Sequence, residues 1–240
     1  MQLTFLSRRE IMKKIALACF IALIAAGAQA GVIEDIQTGM AEIGTLQTPC
    51  DVVITAVGPS GIWVAEAPYG ANNGIWVYMG SDATDGLMAG DIVCICGEYK
   101  EYYDLSEIDI VSAGLYGSVV KTGTMAVPMP SYVTAADLMA DPEPWESCVI
   151  TIVDGMEVTN EDLGFGEWEA TALDGTPIRF DDVFYEGEIL LGQCFNNATG
   201  VYTYSFSNFK LLPFADGMAL TDCMVDTEGK SLSSLKALYR

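Results

Sequence analysis

Two neighbouring stretches of the chain alternate apolar side chains with a period of two, and the rest of the sequence is organised around them. In Gly61-Ile-Trp-Val-Ala65 and Gly74-Ile-Trp-Val-Tyr78, the aliphatics Ile62, Val64, Ile75 and Val77 fall on one side. Trp63, Trp76 and Tyr78 fall on the other. Successive side chains of a strand point to opposite faces, so each stretch reads as a half-buried strand. A Pro-, Gly- and Asn-rich segment separates them, which predicts a β-hairpin. The four aliphatics are the expected core set. The rings then face outward, toward a ligand or a neighbouring domain.

Other strands flank this pair. Residues 51–57 are strong β-formers ended by Gly58-Pro59-Ser60. Ile92-Val-Cys-Ile-Cys96 is another strand, with Gly97 marking a kink or bulge, and residues 99–110 read as a closing strand or hairpin. The lead-in, residues 32–46, fits a short helical turn or an edge strand equally well. Residues 121–130 carry two prolines and read as a linker. Thr134 to Met139 fits one helical turn, halted before Asp141-Pro-Glu-Pro144.

The first pattern then returns. Cys148-Val-Ile-Thr-Ile-Val153 resembles Cys50-Asp-Val-Val-Ile-Thr55, Gly166-Glu-Trp168 matches Gly61-Ile-Trp63, and Arg179 stands where Trp76 was. A weak duplication of roughly 100 residues implies two all-β domains. The expected division is a signal at 1–30, a first domain at 31–120, a linker at 121–135, a second domain at 136–222 and a tail at 223–240.

The amino terminus changes the compartment. Arg8, Arg9, Lys13 and Lys14 precede an apolar run that ends in Ala28-Gln29-Ala30, the order of a secretory signal. Cleavage after Ala30 is expected, whether translation starts at Met1 or Met12, and the run is too short for a membrane span. The expected location is secreted or periplasmic. Beyond the signal lie Cys50, Cys94, Cys96, Cys148, Cys194 and Cys223. In an exported protein these are disulfide candidates with fifteen connectivities if all pair. Cys94 and Cys96 share a strand face and are not expected to bond each other.

Charge and composition then exclude chemistry. After the signal, seven basic and 32 acidic residues give a net charge of −25. Such a surface repels phosphate backbones and attracts calcium or a basic partner. The chain has no histidine, which removes Ser-His-Asp and Cys-His catalysis and histidine-based metal sites. Among carboxylate pairs, Asp181-Asp182 reads first as a turn after a strand, and Asp82 with Asp85 as a turn rather than a calcium loop. No catalytic residue, metal or cofactor is expected, and the protein is read as a non-enzyme.

Val52-Val-Ile-Thr-Ala56, the two Gly-Ile-Trp-Val stretches, Gly90-Asp-Ile-Val-Cys-Ile-Cys-Gly97 and the aromatic-rich residues that follow resemble a bacterial family of secreted OB-fold domains. Such domains often occur in tandem and beside extracellular nucleases or phosphatases. In the second half, Glu146-Ser-Cys-Val-Ile-Thr-Ile152 and Tyr204-Ser-Phe-Ser-Asn-Phe-Lys-Leu211 carry the same likeness. The resemblance implies two tandem OB-fold-like small β-barrels. It also implies stacking on the outer face of the second and third strands. The ligand-binding candidates are therefore Trp63, Trp76, Tyr78, Trp168 and Arg179. A second aromatic band comprises Tyr99, Tyr102, Tyr103, Tyr202, Tyr204 and Phe206. An OB barrel also runs its first and fourth strands antiparallel, which places Cys50 beside Cys96.

The leading functional expectation is a non-catalytic binding or assembly module that meets a glycan, a protein or another copy of itself. The alternative is a single-stranded nucleic-acid-binding accessory of an extracellular nuclease system. The family favours it, while the charge and Ala65, where such domains often carry a polar residue, oppose it.

Overall fold

The structure, a computed structural model, describes residues 31–80 and 83–223. The expected signal and Asp82 lie outside the described residues. The first half contains helix α1 (Val32–Gln37) and strands β1 (Leu46–Gln47), β2 (Val52–Gly58), β3 (Gly61–Ala65), β4 (Gly74–Tyr78), β5 (Asp91–Tyr102), β6 (Leu105–Asp109) and β7 (Ser118–Thr124). The second contains β8 (Ser131–Val133), α2 (Ala135–Ala140), β9 (Val149–Ile152), β10 (Met156–Gly164), β11 (Glu167–Ala172) and β12 (Pro177–Asp181). It ends with β13 (Gln193–Phe195), β14 (Ala198–Ser205), β15 (Asn208–Pro213) and β16 (Thr221–Asp222).

The fold is all-β and forms two OB-fold-like barrels. In the first, β2, β3 and β4 pair antiparallel in chain order, and β4 runs parallel to β6. Strand β5 pairs with both β6 and β2, which closes the barrel. In the second, β9 and β10 share the place of the first strand, and β13 and β14 that of the fourth. Strand β12 runs parallel to β15, and closure follows the same order. A closed barrel leaves few open edges, which suits a chain of short strands.

Alternation fills each barrel. Ile62, Val64, Ile75 and Val77 are fully buried in the first core, as their period predicts. The lead-in ambiguity resolves both ways, into helix α1 and edge strand β1. Helix α1 is only six residues long, so packing rather than propensity holds it, through buried Ile33 and Ile36. Helix α2 plays the same part through Ala135 and Leu138. Thr134 caps it, its hydroxyl accepting from the Asp137 N–H at 3.1 Å.

Three expectations change. Residues 121–124, read as linker, extend β7 along β5 with Lys121 opposite Val93. The cysteine beside Cys50 is Cys94, not Cys96. Asp51, at φ 58, turns the chain between Cys50 and the start of β2, so Cys50 does not continue the strand register. This disulfide closes a loop with a sequence separation of 44. In chain-entropy models that constraint stabilises the fold by about 4 kcal/mol. A second disulfide joins Cys194 to Cys223, tying the expected tail to β13. Finally, Trp168 does not share Trp63's face. It lies 1% exposed inside the second barrel, stacked on Phe180 at 4.2 Å. Trp168 pairs with Phe180 as Ile62 pairs with Val77, so it stands one residue of register from Trp63's place, and such a slip moves a side chain to the opposite face.

Candidate ligand cleft between the barrels

Trp63 and Trp76 face outward from the first barrel, as alternation requires, but most of that face is covered. Trp63 is 6% and Trp76 8% exposed. They pack on each other at 4.3 Å between centroids, and Trp63 meets the edge of Phe184 at 5.6 Å. Ala56, Val201 and Leu212 complete this cluster, with Phe214 against it, so it joins the two barrels. Glycine makes the approach possible. A Cβ on Gly61 would stand 2.7 Å from the Trp76 ring, and one on Gly74 would stand 2.4 Å from the Ser147 carbonyl oxygen.

Polar contacts reinforce the seam. The Ser106 N–H donates to Glu146 Oε1 at 3.1 Å, and the Asn72 N–H to the Pro144 carbonyl at 2.6 Å. The Cys148 thiol donates to the Gly70 carbonyl at 3.1 Å. Burial pushes that thiol up to about 12, so it is a structural group rather than a nucleophile. Glu146 is pushed up to about 8, chiefly by burial, and its Oε2 has no hydrogen-bond partner.

Where the covered face ends, a cleft of about 710 Å³ opens. Trp76, Tyr78 and Glu107 lie along β4 and β6, with Trp76 directly opposite Glu107. One wall is the β5–β6 turn with Tyr102, Tyr103 and Leu105. The facing wall is the β14–β15 turn of the other barrel, with Tyr204 and Phe206. Each turn has two residues, both at positive φ: Tyr103 at 51° with Asp104 at 68°, and Phe206 at 50° with Ser207 at 64°. Such hairpin turns usually carry Asn-Gly, because a Cβ is strained there. Here they hold Tyr103 78% and Phe206 87% exposed at the tips. Both rings lean over the same cleft from opposite barrels, which distinguishes them from Phe165, an exposed ring at φ 60 that does not line it.

The remaining candidates are placed as follows. Tyr78 lines the cleft and Trp76 reaches its edge, whereas Trp63 belongs to the seam. Trp168 is inside the second core and out of a ligand's reach. Arg179 does face outward, but it pairs with Glu167 at 2.5 Å, beside Lys210, which binds Glu167 and Asp181. Asp181 is therefore held by Lys210 and is not half of a free carboxylate pair. Of the aromatic band on the closing strands, Tyr99 and Tyr202 are core, and Tyr102, Tyr103, Tyr204 and Phe206 form the cleft walls. Glu157 stands beside Cys194 and Cys223. Their sulfurs are committed to the disulfide, which leaves one carboxylate and too few ligands for a metal.

No protein-family model matches the chain, and no curated protein does. Among solved structures, it is similar to the tetrameric p202 HIN2 domain at 10% identity. That match covers 75% of this chain and 96% of the other, with a TM-score of 0.35. A murine DNA-binding protein bound to double-stranded DNA matches at 10% identity over 74% and 97%, with a TM-score of 0.37. The p204 HINb domain matches at 11% over 75% and 98%, with a TM-score of 0.35. At that level of similarity no functional conclusion follows for this chain.

Proposed function

We propose that this protein is a non-catalytic binding module of two OB-fold-like barrels, working outside the cytoplasm, whose ligand lies in the aromatic cleft. The observation that carries the reading is the pair of strained turns, one from each barrel, that hold Tyr103 and Phe206 over Trp76 and Tyr78. Flat rings of this kind stack on sugar rings or bases, or take a protein side chain. Export is supported by the amino-terminal pattern and by two disulfides, which persist in oxidising compartments. A glycan or a protein, another copy of this chain included, fits a cleft whose lining contains no lysine or arginine.

The second reading is a single strand of nucleic acid. The rings fit it at least as well as a glycan, because the cleft opens along the third strand and the turn between the fourth and fifth, where OB folds take oligonucleotides. A net charge of −22, or −25 once the expected signal is removed, opposes it. Binding of a neutral oligosaccharide panel and of an oligothymidylate at low and high salt, each repeated with Phe206→Ala, tests the proposal. Loss of binding with Phe206→Ala is expected, by about tenfold or more for a stacked ring. Steep salt dependence selects the nucleic acid. Binding that Phe206→Ala leaves unchanged refutes the cleft as the site.

A further inference from the structure

The cleft carries a charge that stacking does not require. Glu107 lies at its floor, 5% exposed, and among the described residues has no ion-pair partner. Lys100, opposite it on β5, gives its ammonium to Asp109 at 2.7 Å and to Ser112. The groups acting on Glu107 are Asp109 and Glu101, both acidic, and Lys100 already engaged. The phenols of Tyr78, Tyr102, Tyr103 and Tyr204 stand around the same space. On the far wall, Lys210 stands 5.8 Å from the Phe206 ring centre, but it is closed in by Glu167 and Asp181. The site thus joins six aromatic residues to one uncommitted carboxylate.

Ring faces carry negative potential and attract an ammonium, the more so when water is excluded. A carboxylate at the floor adds to that attraction, and an acidic chain raises the local concentration of cations. A neutral sugar can donate a hydroxyl to this carboxylate but has no opposite charge to set against it, and a phosphate is repelled by it. We propose that the cleft receives a lysine side chain of a basic partner protein, the ammonium seated between the ring walls and Glu107. The proposal rests on the cleft being the ligand site and names the partner chemistry of that site. Burial and the Asp109 charge push Glu107 up to about 7. An incoming ammonium favours its ionised form, so binding releases a proton and strengthens as pH rises.

Calorimetric titration of the protein with a glycine-flanked lysine peptide, and with the same peptide acetylated at the lysine, tests this. The lysine peptide is expected to bind about tenfold or more tighter than the acetylated one. Its affinity is expected to rise about tenfold between pH 6 and pH 8, as Glu107 ionises and lysine stays charged. Glu107→Gln is expected to flatten that rise. General attraction to an acidic surface would survive the loss of one carboxyl among the 33 of the sequence. Equal binding of the acetylated peptide, or a pH dependence that persists in Glu107→Gln, overturns the proposal. Tyr103→Gly removes a ring from an exposed turn that suits glycine, so it tests the cleft without threatening the fold. If Tyr103→Gly abolishes binding of an oligosaccharide or oligonucleotide while the lysine peptide never binds, the cleft stands and the lysine falls. If Tyr103→Gly alters no ligand's binding, both fall.

Discussion

Replacing Trp63 with alanine separates a seam from an exposed recognition face. Trp63 is 6% exposed, against Trp76 at 4.3 Å and Phe184 at 5.6 Å. A buried tryptophan removes about 150–250 Å² from water, and truncating one typically costs about 3–5 kcal/mol once the residual cavity is counted. Its Nε1 is buried without a partner, so no hydrogen bond is lost, and removing that unsatisfied donor offsets part of the packing cost, which favours the lower end of this range. That exceeds the roughly 1–3 kcal/mol expected for Val64→Ala inside the first barrel. For a protein of this length each kcal/mol shifts the midpoint by about 2–4 °C, so Trp63→Ala should melt about 6–20 °C lower. Because the lost contact joins the barrels, its calorimetric transition should also broaden or split, whereas Val64→Ala should weaken one barrel directly. Phe165→Ala, at a fully exposed turn, is the control and should leave the midpoint within about 1–2 °C. A Trp63→Ala melt no lower than that of Phe165→Ala would refute the seam.

Two further outcomes are expected. Tyr103→Gly and Phe206→Gly relieve positive φ at exposed turns, so urea midpoints should hold or rise, with stability gains of up to about 1 kcal/mol. A loss above that would mean the rings support the fold rather than await a ligand. Glu146 is raised from its ordinary 4.5 to about 8, so the folded state keeps a proton that the unfolded chain has lost. Its contribution is full below pH 4.5 and declines by on the order of 1 kcal/mol per pH unit until about pH 8. Glu146→Gln should flatten stability over that window when denaturation midpoints are compared, and an unchanged slope would place the charge elsewhere.

Local pattern carried the barrels and the direction of most side chains. Ile62, Val64, Ile75 and Val77 are inside and Trp63, Trp76 and Tyr78 outside because a pleated strand allows nothing else. What covers Trp63 depends on Phe184, Phe214 and Leu212, more than 100 residues away, and no local signal reports that contact. The cleft walls were half legible. Tyr102, Tyr103, Tyr204 and Phe206 stood out as an aromatic band, but Tyr103-Asp104 and Phe206-Ser207 carry none of the Asn-Gly chemistry that announces a two-residue turn. Cys50's partner is illegible for a similar reason, since the left-handed Asp51 that takes Cys50 out of register has no glycine to mark it.

One residue of register explains why the two barrels present different outer faces. In the first, Trp63, Trp76 and Tyr78 point outward and continue into Glu107 on the parallel neighbour β6. In the second, Trp168 falls inside with Phe180, and the outward positions go to Glu167, Arg179, Asp181 and Lys210. Those four neutralise one another and offer no apolar surface to stack on. The second barrel therefore meets the first through other residues, chiefly Phe184, Phe214, Val201 and Leu212, and these cover one end of the tryptophan face. Its β14–β15 turn then reaches the uncovered end and supplies Tyr204 and Phe206 as the opposite wall. A cleft built this way needs both barrels. Separated from the second, the first would lose that wall and expose Trp63 and Trp76, so Trp63→Ala should also weaken binding of the ligand proposed for the cleft.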